Sequence, residues 1–364
     1  MKIVLATGVY PPEIGGPATY VRALAEELVA AGHHVHVIAF GEPASSPWPT
    51  TGIPRNGGPL VRWWKYARAF REIAADAHVV EAFSLFSVGV PLLLSRLRGP
   101  KRVIRLGGDF GWERATDRGD RRTLKEWYAS HGILPLLSRI VAGILLGLFD
   151  HVIFSSAFQR DIFHAAYHRL PSVSVIENAL QESTPLLHTK HDPLRLLFLG
   201  RLVRFKSIPL LVAALAELPH MTLTVVGDGT ANDDITTAVT RAGVETRVVR
   251  MSASSASATR CLFDEHDLLV LPSLTEISPN TALEARASGL PVLLTTETGL
   301  SPELCEGMTI LPLRTVHDIV RAILDIDRRY DEIATAAGRP VAARPWSNVA
   351  AEHLSLFSKL CQRS

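Results

Sequence analysis

Short apolar runs alternate with helical patterns along this chain, and then the alternation starts again. In the first half the runs are Lys2–Ala6, His34–Ala39, His78–Ala82, Arg102–Leu106, Val152–Ser155 and Val173–Ile176. Amphipathic stretches lie between them, such as Thr19–Ala31 with Val21, Leu24, Ala25 and Leu28 on one face. Strands that alternate with helices predict a parallel sheet covered on both faces. A polar break at His188–Pro193 ends the first series. A second opens at Leu194–Gly200, with a helix over Ile208–Glu217 and further strands at Thr222–Val226, Arg247–Val249, Leu268–Leu271, Pro291–Thr295 and Thr309–Leu311. The predicted fold class is α/β, two doubly wound units in series. At 364 residues each unit can bury its own core. The Pro- and Gly-rich stretch Gly41–Pro59 reads as a long mobile surface loop.

Composition removes several function classes. A hydrophobic fraction of 47% excludes a disordered chain. Three cysteines (Cys261, Cys305, Cys361) are odd in number and lack metal-ligand spacing, which argues for a reducing compartment. A formal net charge of +2 excludes nucleic-acid binding by bulk charge. The charge is uneven: the basic excess lies in the first half, in Arg96, Arg98, Lys101, Arg102 and Arg105 and again in Arg118, Arg121, Arg122 and Lys125. Such a cluster is either a solvated face or a surface for an anionic lipid or acceptor. The N-terminal apolar run is too short for a signal peptide, so a cytoplasmic chain is expected. Gly132–Phe149 is the most apolar stretch, but Pro135 and Arg139 interrupt it; a buried helix or one facing a membrane surface is expected rather than a span.

Three loops carry the chemistry. Gly8–Pro17 follows the first strand, where Gly15 and Gly16 admit close backbone approach and a helix N-terminus favours an anion. Its glycines do not have the spacing of the dinucleotide fingerprint, which counts against a nicotinamide-dependent oxidoreductase. Gly200–Lys206 takes the matching place in the second half, with Arg201 and Lys206 as diphosphate donors. Pro272–Ala285 is the most specific. Ser278-Pro279 has the form of an N-cap followed by a first-turn proline, predicting a helix from Pro279. Glu276 then precedes the helix N-terminus and Glu284 lies on its second turn.

Together these motifs resemble the retaining GT-B glycosyltransferases of glycosyltransferase family 4. Glu276 and Glu284 match the family's E-x7-E spacing, and Ala285–Val292 its continuation. Gly15-Gly16 resembles its first-loop glycine pair, Gly200-Arg201 to Lys206 its phosphate loop, and Val226–Gly229 its V-G-x-G strand end. Ile176–Ala179 stands at its linker and Pro345–Ser347 opens its crossover helix. Ser207 and Ala179 replace the usual glycines, and Asp109 stands near a usual histidine.

The resemblance implies two Rossmann-like domains facing across a cleft. Residues 1–180 would bind acceptor, residues 181–345 would bind the nucleotide-sugar donor, and residues 346–364 would form a helix packing back on the first domain. It implies transfer of a sugar from a nucleoside diphosphate sugar to a hydroxyl acceptor, a glycan or lipid-linked glycan, with retention of configuration. Arg201 and Lys206 would hold the diphosphate, Glu276 the donor-sugar hydroxyls and Glu284 the ribose. Ser278, Pro279, Asn280 and Thr281 would bring backbone donors, Gly15, Gly16 and Gly227 would give close approach, and Asp109 would orient a hydroxyl. No metal or other cofactor is expected. The expected location is cytoplasmic, with peripheral contact at the inner face of an anionic membrane. The alternative is a catalytically inactive nucleotide-sugar-binding or scaffold protein of the same fold.

Overall fold

The computed structural model describes residues 1–13, 15–180, 187–252 and 256–362. Ile14 of the first glycine loop and the opening of the expected second domain lie outside the described residues. Two compact units result: Met1–Gly111 with Tyr128–Ala179 and Arg344–Ser364, and Leu180–Ala343 with Trp112–Trp127. The segment Trp112–Trp127 thus leaves the first half of the chain and packs with the second unit.

The first unit begins with β1 (Lys2–Thr7), α1 (Gly16–Ala30), β2 (His34–Phe40), β3 (Thr50–Ile53) and α2 (Pro59–Ile73). It continues with β4 (Val79–Ala82), α3 (Val90–Ser95) and β5 (Lys101–Leu106); α4 (Phe110–Asp117) and α5 (Leu124–Ala129) follow in the chain, most of both lying in the segment that packs with the second unit. Then come α6 (Ile133–Leu146), β6 (His151–Phe154), α7 (Ala157–Ala166) and β7 (Ser172–Val175). Its seven strands are all parallel, in the order β3-β2-β1-β4-β5-β6-β7. The central strands β1, β4 and β6 are buried almost throughout, as expected of strands covered on both faces.

The stretch expected as a mobile loop, Gly41–Pro59, instead carries β3. Thr50–Ile53 pairs with Val37–Phe40, and Trp48 just before it is buried and donates to the Tyr10 hydroxyl at 3.1 Å. Pro49 and Pro54 flank the strand, which is tolerable because β3 is a sheet edge. Arg105 also departs from expectation. It is no surface cation: 3% exposed, it donates to the Ile176 carbonyl and to Asn178 Oδ1, each at 2.8 Å, and its guanidinium lies 4.1 Å from the Tyr20 ring centre.

The second unit runs β8 (Arg195–Leu199), a 3-10 turn at Arg204–Lys206, α8 (Ile208–Ala216), β9 (Thr222–Val226), α9 (Asn232–Ala242) and β10 (Val248–Met251). After α10 (Ala256–Glu265) come β11 (Leu268–Leu271), α11 (Asn280–Ser288), β12 (Val292–Thr295), α12 (Pro302–Cys305), β13 (Thr309–Leu311), α13 (Val316–Arg328) and α14 (Tyr330–Ala337). Its six parallel strands order as β10-β9-β8-β11-β12-β13. One apolar core joins β8, β9, β11 and β12 to α8 and α13.

The last helix, α15 (Trp346–Gln362), returns to the first unit and lies against α1. Val349, Ala350 and Phe357 enter the core built on Val21, Leu24 and Leu28. The buried His353 ring bonds the Tyr20 hydroxyl at 2.9 Å and lies 3.2 Å from the Glu81 carboxylate.

Candidate active site

In an open parallel sheet, the strand order reverses at one point and ligands bind beyond the carboxyl ends of the strands there. In the second unit that point lies between β8 and β11. The loops leaving these two strands carry Arg201, Lys206 and Glu276. They are tied to each other where the Leu274 amide donates to the Phe205 carbonyl at 2.8 Å.

Lys206 and Glu276, 70 residues apart in sequence, form a buried ion pair with Nζ 2.6 Å from Oε1 and side chains 15% and 5% exposed. The Ser273 hydroxyl donates to the same oxygen at 2.5 Å. The Glu276 backbone is held by a bridge to the next strand connection: its amide donates to the Glu297 carbonyl and its carbonyl accepts from the Gly299 amide. A carboxylate fixed at Oε1 has Oε2 left to accept from a ligand hydroxyl. Lys206 keeps two of its three donors for an anion.

Arg201 is the more open cation. Its side chain is 57% exposed and it stands 3.4 Å from the Glu113 carboxylate, a long contact in a segment that leaves the first half of the chain. That segment is bound to the site loops at several points. The Trp112 ring packs on Phe205 at 5.0 Å, the Leu124 amide donates to Thr275 Oγ1 at 2.9 Å, and Arg204 donates to the Asp117 carbonyl at 2.7 Å. Arg314 pairs with Glu126 at 2.6 Å, which lowers the Glu126 carboxyl pKa. Thr275 and Glu113 carry no expected role, because nothing near them in sequence announces contacts with groups 151 and 88 residues away, and Ser273 carries none although its partner Glu276 lies only three residues on.

The Val226–Gly229 strand end has a steric purpose. A Cβ on Gly227 would lie 2.0 Å from the Gly200 carbonyl oxygen, and one on Gly229 2.2 Å from that of Leu202. These glycines let the Gly200–Lys206 loop lie against the end of β9, where Leu202 exchanges hydrogen bonds with Asp228 and Ala231. Gly227 therefore positions the loop carrying Arg201. Ser207, which follows Lys206, has φ 55°, in the left-handed region that favours glycine.

The helix after Glu276 begins one residue later than its sequence suggests. α11 runs Asn280–Ser288 with Pro279 as its cap residue at φ −77° and ψ 93°, and no side chain caps it. Ser278 is thus not the N-cap. Asn280 and Thr281 form the first turn of α11, where the positive end of the helix dipole lies. Water reaches the Glu284 carboxylate on this helix, yet the protein crowding it raises its pKa by burial.

In the first unit Gly15 precedes α1 and Gly16 opens it, beyond β1 and beside the reversal between β1 and β4. Gly15 is not crowded in the way Gly227 is: a Cβ on it would meet only ordinary contacts at 3.8 Å. Asp109 lies beyond β5, 8% exposed, and accepts from the Tyr128 hydroxyl at 2.6 Å. Burial first, then Asp109, holds that hydroxyl well above the usual tyrosine pKa. Asp109 Oδ2 thus holds the Tyr128 hydroxyl. The basic residues Arg118, Arg121, Arg122 and Lys125 belong to the second unit and the apolar helix α6 to the first.

Two family models match the chain: "Glycosyltransferase Family 4" over residues 14–184 and "Glycosyl transferases group 1" over residues 193–327. The glycogen synthase of Mycobacterium tuberculosis is 25% identical over 394 residues, covering 94% of this chain and 89% of the relative. A D-inositol 3-phosphate glycosyltransferase of Pseudarthrobacter chlorophenolicus is 31% identical over 202 residues, half of this chain and 48% of the relative. Among solved structures, sucrose-phosphate synthase from Thermosynechococcus elongatus superposes with a TM-score of 0.81 at 22% identity over the full length of both chains. Anabaena HepE in complex with UDP and glucose superposes at 0.71 and 18% identity, over all of this chain and 99% of the other. The two parallel sheets are the Rossmann-like pair of the GT-B fold. The chain belongs to the family 4, group 1 glycosyltransferases.

Proposed function

We propose that this enzyme moves a sugar from a nucleoside diphosphate sugar to a hydroxyl acceptor with retention of anomeric configuration. The observation that carries this is the Lys206–Glu276 pair at the strand-order reversal, with Arg201 on the same loop and the α11 N-terminus just after Glu276. Cations and helix amides at one point suit a diphosphate. Glu276, with one oxygen fixed, suits a sugar hydroxyl beside it. HepE, a neighbour in fold, holds UDP and glucose.

In the reaction the bond from the anomeric carbon to the diphosphate oxygen breaks and a bond to the acceptor oxygen forms. The acceptor proton passes to the departing diphosphate. Lys206 and Arg201 stabilise the negative charge that grows on that leaving group, so no metal is called for. Arg201 exchanges its 3.4 Å contact with Glu113 for phosphate oxygens at little cost, because an exposed pair is worth only about 0–1 kcal/mol. Glu284 accepts from the ribose hydroxyls. The acceptor is a glycan or a lipid-linked glycan, and the lipid-linked case brings the chain to an anionic membrane.

Thermal melts against UDP-, GDP- and ADP-sugars test this. One nucleotide class should stabilise the folded protein by about 2.7 kcal/mol at a hundredfold excess over Kd. Arg201→Ala and Glu284→Gln should melt near wild type without ligand and lose the ligand shift. No shift with any nucleotide sugar, or an equal shift in both variants, refutes the donor site. An inverted product anomer, read by NMR, refutes retention.

A further inference from the structure

α6 is inside out. Six of its large aliphatic residues, Ile133, Leu136, Leu137, Ile140, Val141 and Ile144, recur at the spacing of one helical face and are each between 45% and 76% exposed, while Leu146 at its end is buried. Its opposite face, with Pro135, Arg139, Ala142 and Gly143, is turned to the protein. Two contacts hold it that way. A Cβ on Gly143 would lie 2.9 Å from the Tyr167 ring, so the helix needs this glycine facing inward. Arg139 donates to the carbonyls of Tyr128 and Ser130, at the end of α5 and just beyond it. Turning the stripe inward would break both contacts.

The surroundings say what covers the stripe. Right-handed crossovers place α2, α3, α6 and α7 on one face of the first sheet, opposite α1. On that face the first turns of α2 expose Leu60 (74%) and Trp64 (58%) beside Arg62 and Lys65. Arg96 and Arg98 after α3, and Arg169 after α7, are exposed cations. No acidic residue occurs from Tyr128 to Phe149. The α6 stripe has no Tyr, Trp or Arg of the kind that anchors protein–protein interfaces. The helix has 14 residues, about 21 Å, and no described helix is long and apolar enough to cross a membrane. An apolar stripe and exposed cations on one sheet face fit the headgroup–acyl boundary of an anionic bilayer.

We propose that this face of the first unit docks the protein on an anionic membrane, with α6 lying in the plane of the interface. The proposal deepens the lipid-linked acceptor reading. Vesicle binding is measured without donor or acceptor, so its failure and the failure of sugar transfer are separate results. The test is co-sedimentation with vesicles of phosphatidylcholine alone or mixed with phosphatidylglycerol, for wild type and for Leu137→Glu/Ile144→Glu. Both substitutions fall at exposed positions, and melts close to wild type confirm that the variant is folded. Wild type should pellet with the anionic vesicles and release as salt rises, while the variant loses about tenfold or more in binding. Light scattering runs in parallel. Wild type left in the supernatant with both vesicles, or a variant that binds as wild type does, overturns the proposal. So does a wild-type dimer that the variant splits without any vesicle binding, which would make a second copy the occupant.

Discussion

Lys206→Ala separates the structural and chemical parts of the site. The pair it breaks is short, 2.6 Å, with side chains 15% and 5% exposed. Removing one partner of a buried pair costs about 3–5 kcal/mol, because the other charge is stranded. Here the Ser273 hydroxyl stays on Glu276 Oε1, and a hydrogen bond to a charged group retains about 1.5–3 kcal/mol. The net loss should be about 2 kcal/mol, which for a unit of this size lowers Tm by about 4–8 °C. Lys206→Met/Glu276→Gln removes both charges and should recover most of the loss. Melts of wild type, the two single variants and the double variant close a thermodynamic cycle, with an expected coupling of about 1–3 kcal/mol. Transfer should fall about a hundredfold or more in Lys206→Ala and stay low in the double variant, since stability returns but the leaving-group cation does not. A single variant that melts within a degree of wild type, or a double variant that recovers transfer, would refute the reasoning.

Gly227→Ala should cost about 3 kcal/mol or more, because its Cβ would sit 2.0 Å from the Gly200 carbonyl at a φ of 140°; a melt unchanged from wild type contradicts the close approach. Ser207→Gly should stabilise by about 0.5 kcal/mol, relief of left-handed strain slightly exceeding the added freedom of the unfolded chain, as read by denaturant midpoint. His151 is buried between the Ser172 and Ser174 hydroxyls, and burial lowers its pKa to about 4 from 6.5. A base depressed in the folded state costs nothing above pH 6.5 and loses stability as pH falls towards 4, on the order of 3 kcal/mol in all. His151→Gln should flatten that acid limb in melts across the pH range, and an unchanged limb would place the loss elsewhere.

The legible part of the sequence was local. Short, near-continuous apolar runs bounded by glycine or polar residues mark β9, β11 and β13, because a strand covered on both faces is apolar on both. The site loops are legible for the same reason, since they begin where such strands end. β3 was hidden, since its four residues lie between prolines and take their strand character from pairing with β2.

The sequence by itself determined two doubly wound sheets, the loops that end their strands, and the cations and carboxylates on those loops. Tertiary structure alone decided which of these groups meet. Lys206 reaches Glu276 because β11 pairs beside β8, across a separation of 70 residues that no local pattern encodes. Arg105 looked like a surface cation and is buried, because carbonyls and a ring supplied by distant segments surround it. The periodicity of α6 shows an apolar stripe but not its direction. That direction was set by a glycine against Tyr167 and an arginine holding the end of a neighbouring helix. Short-range pattern is written in adjacent residues, whereas partners and outward faces depend on contacts closed only when the chain has folded.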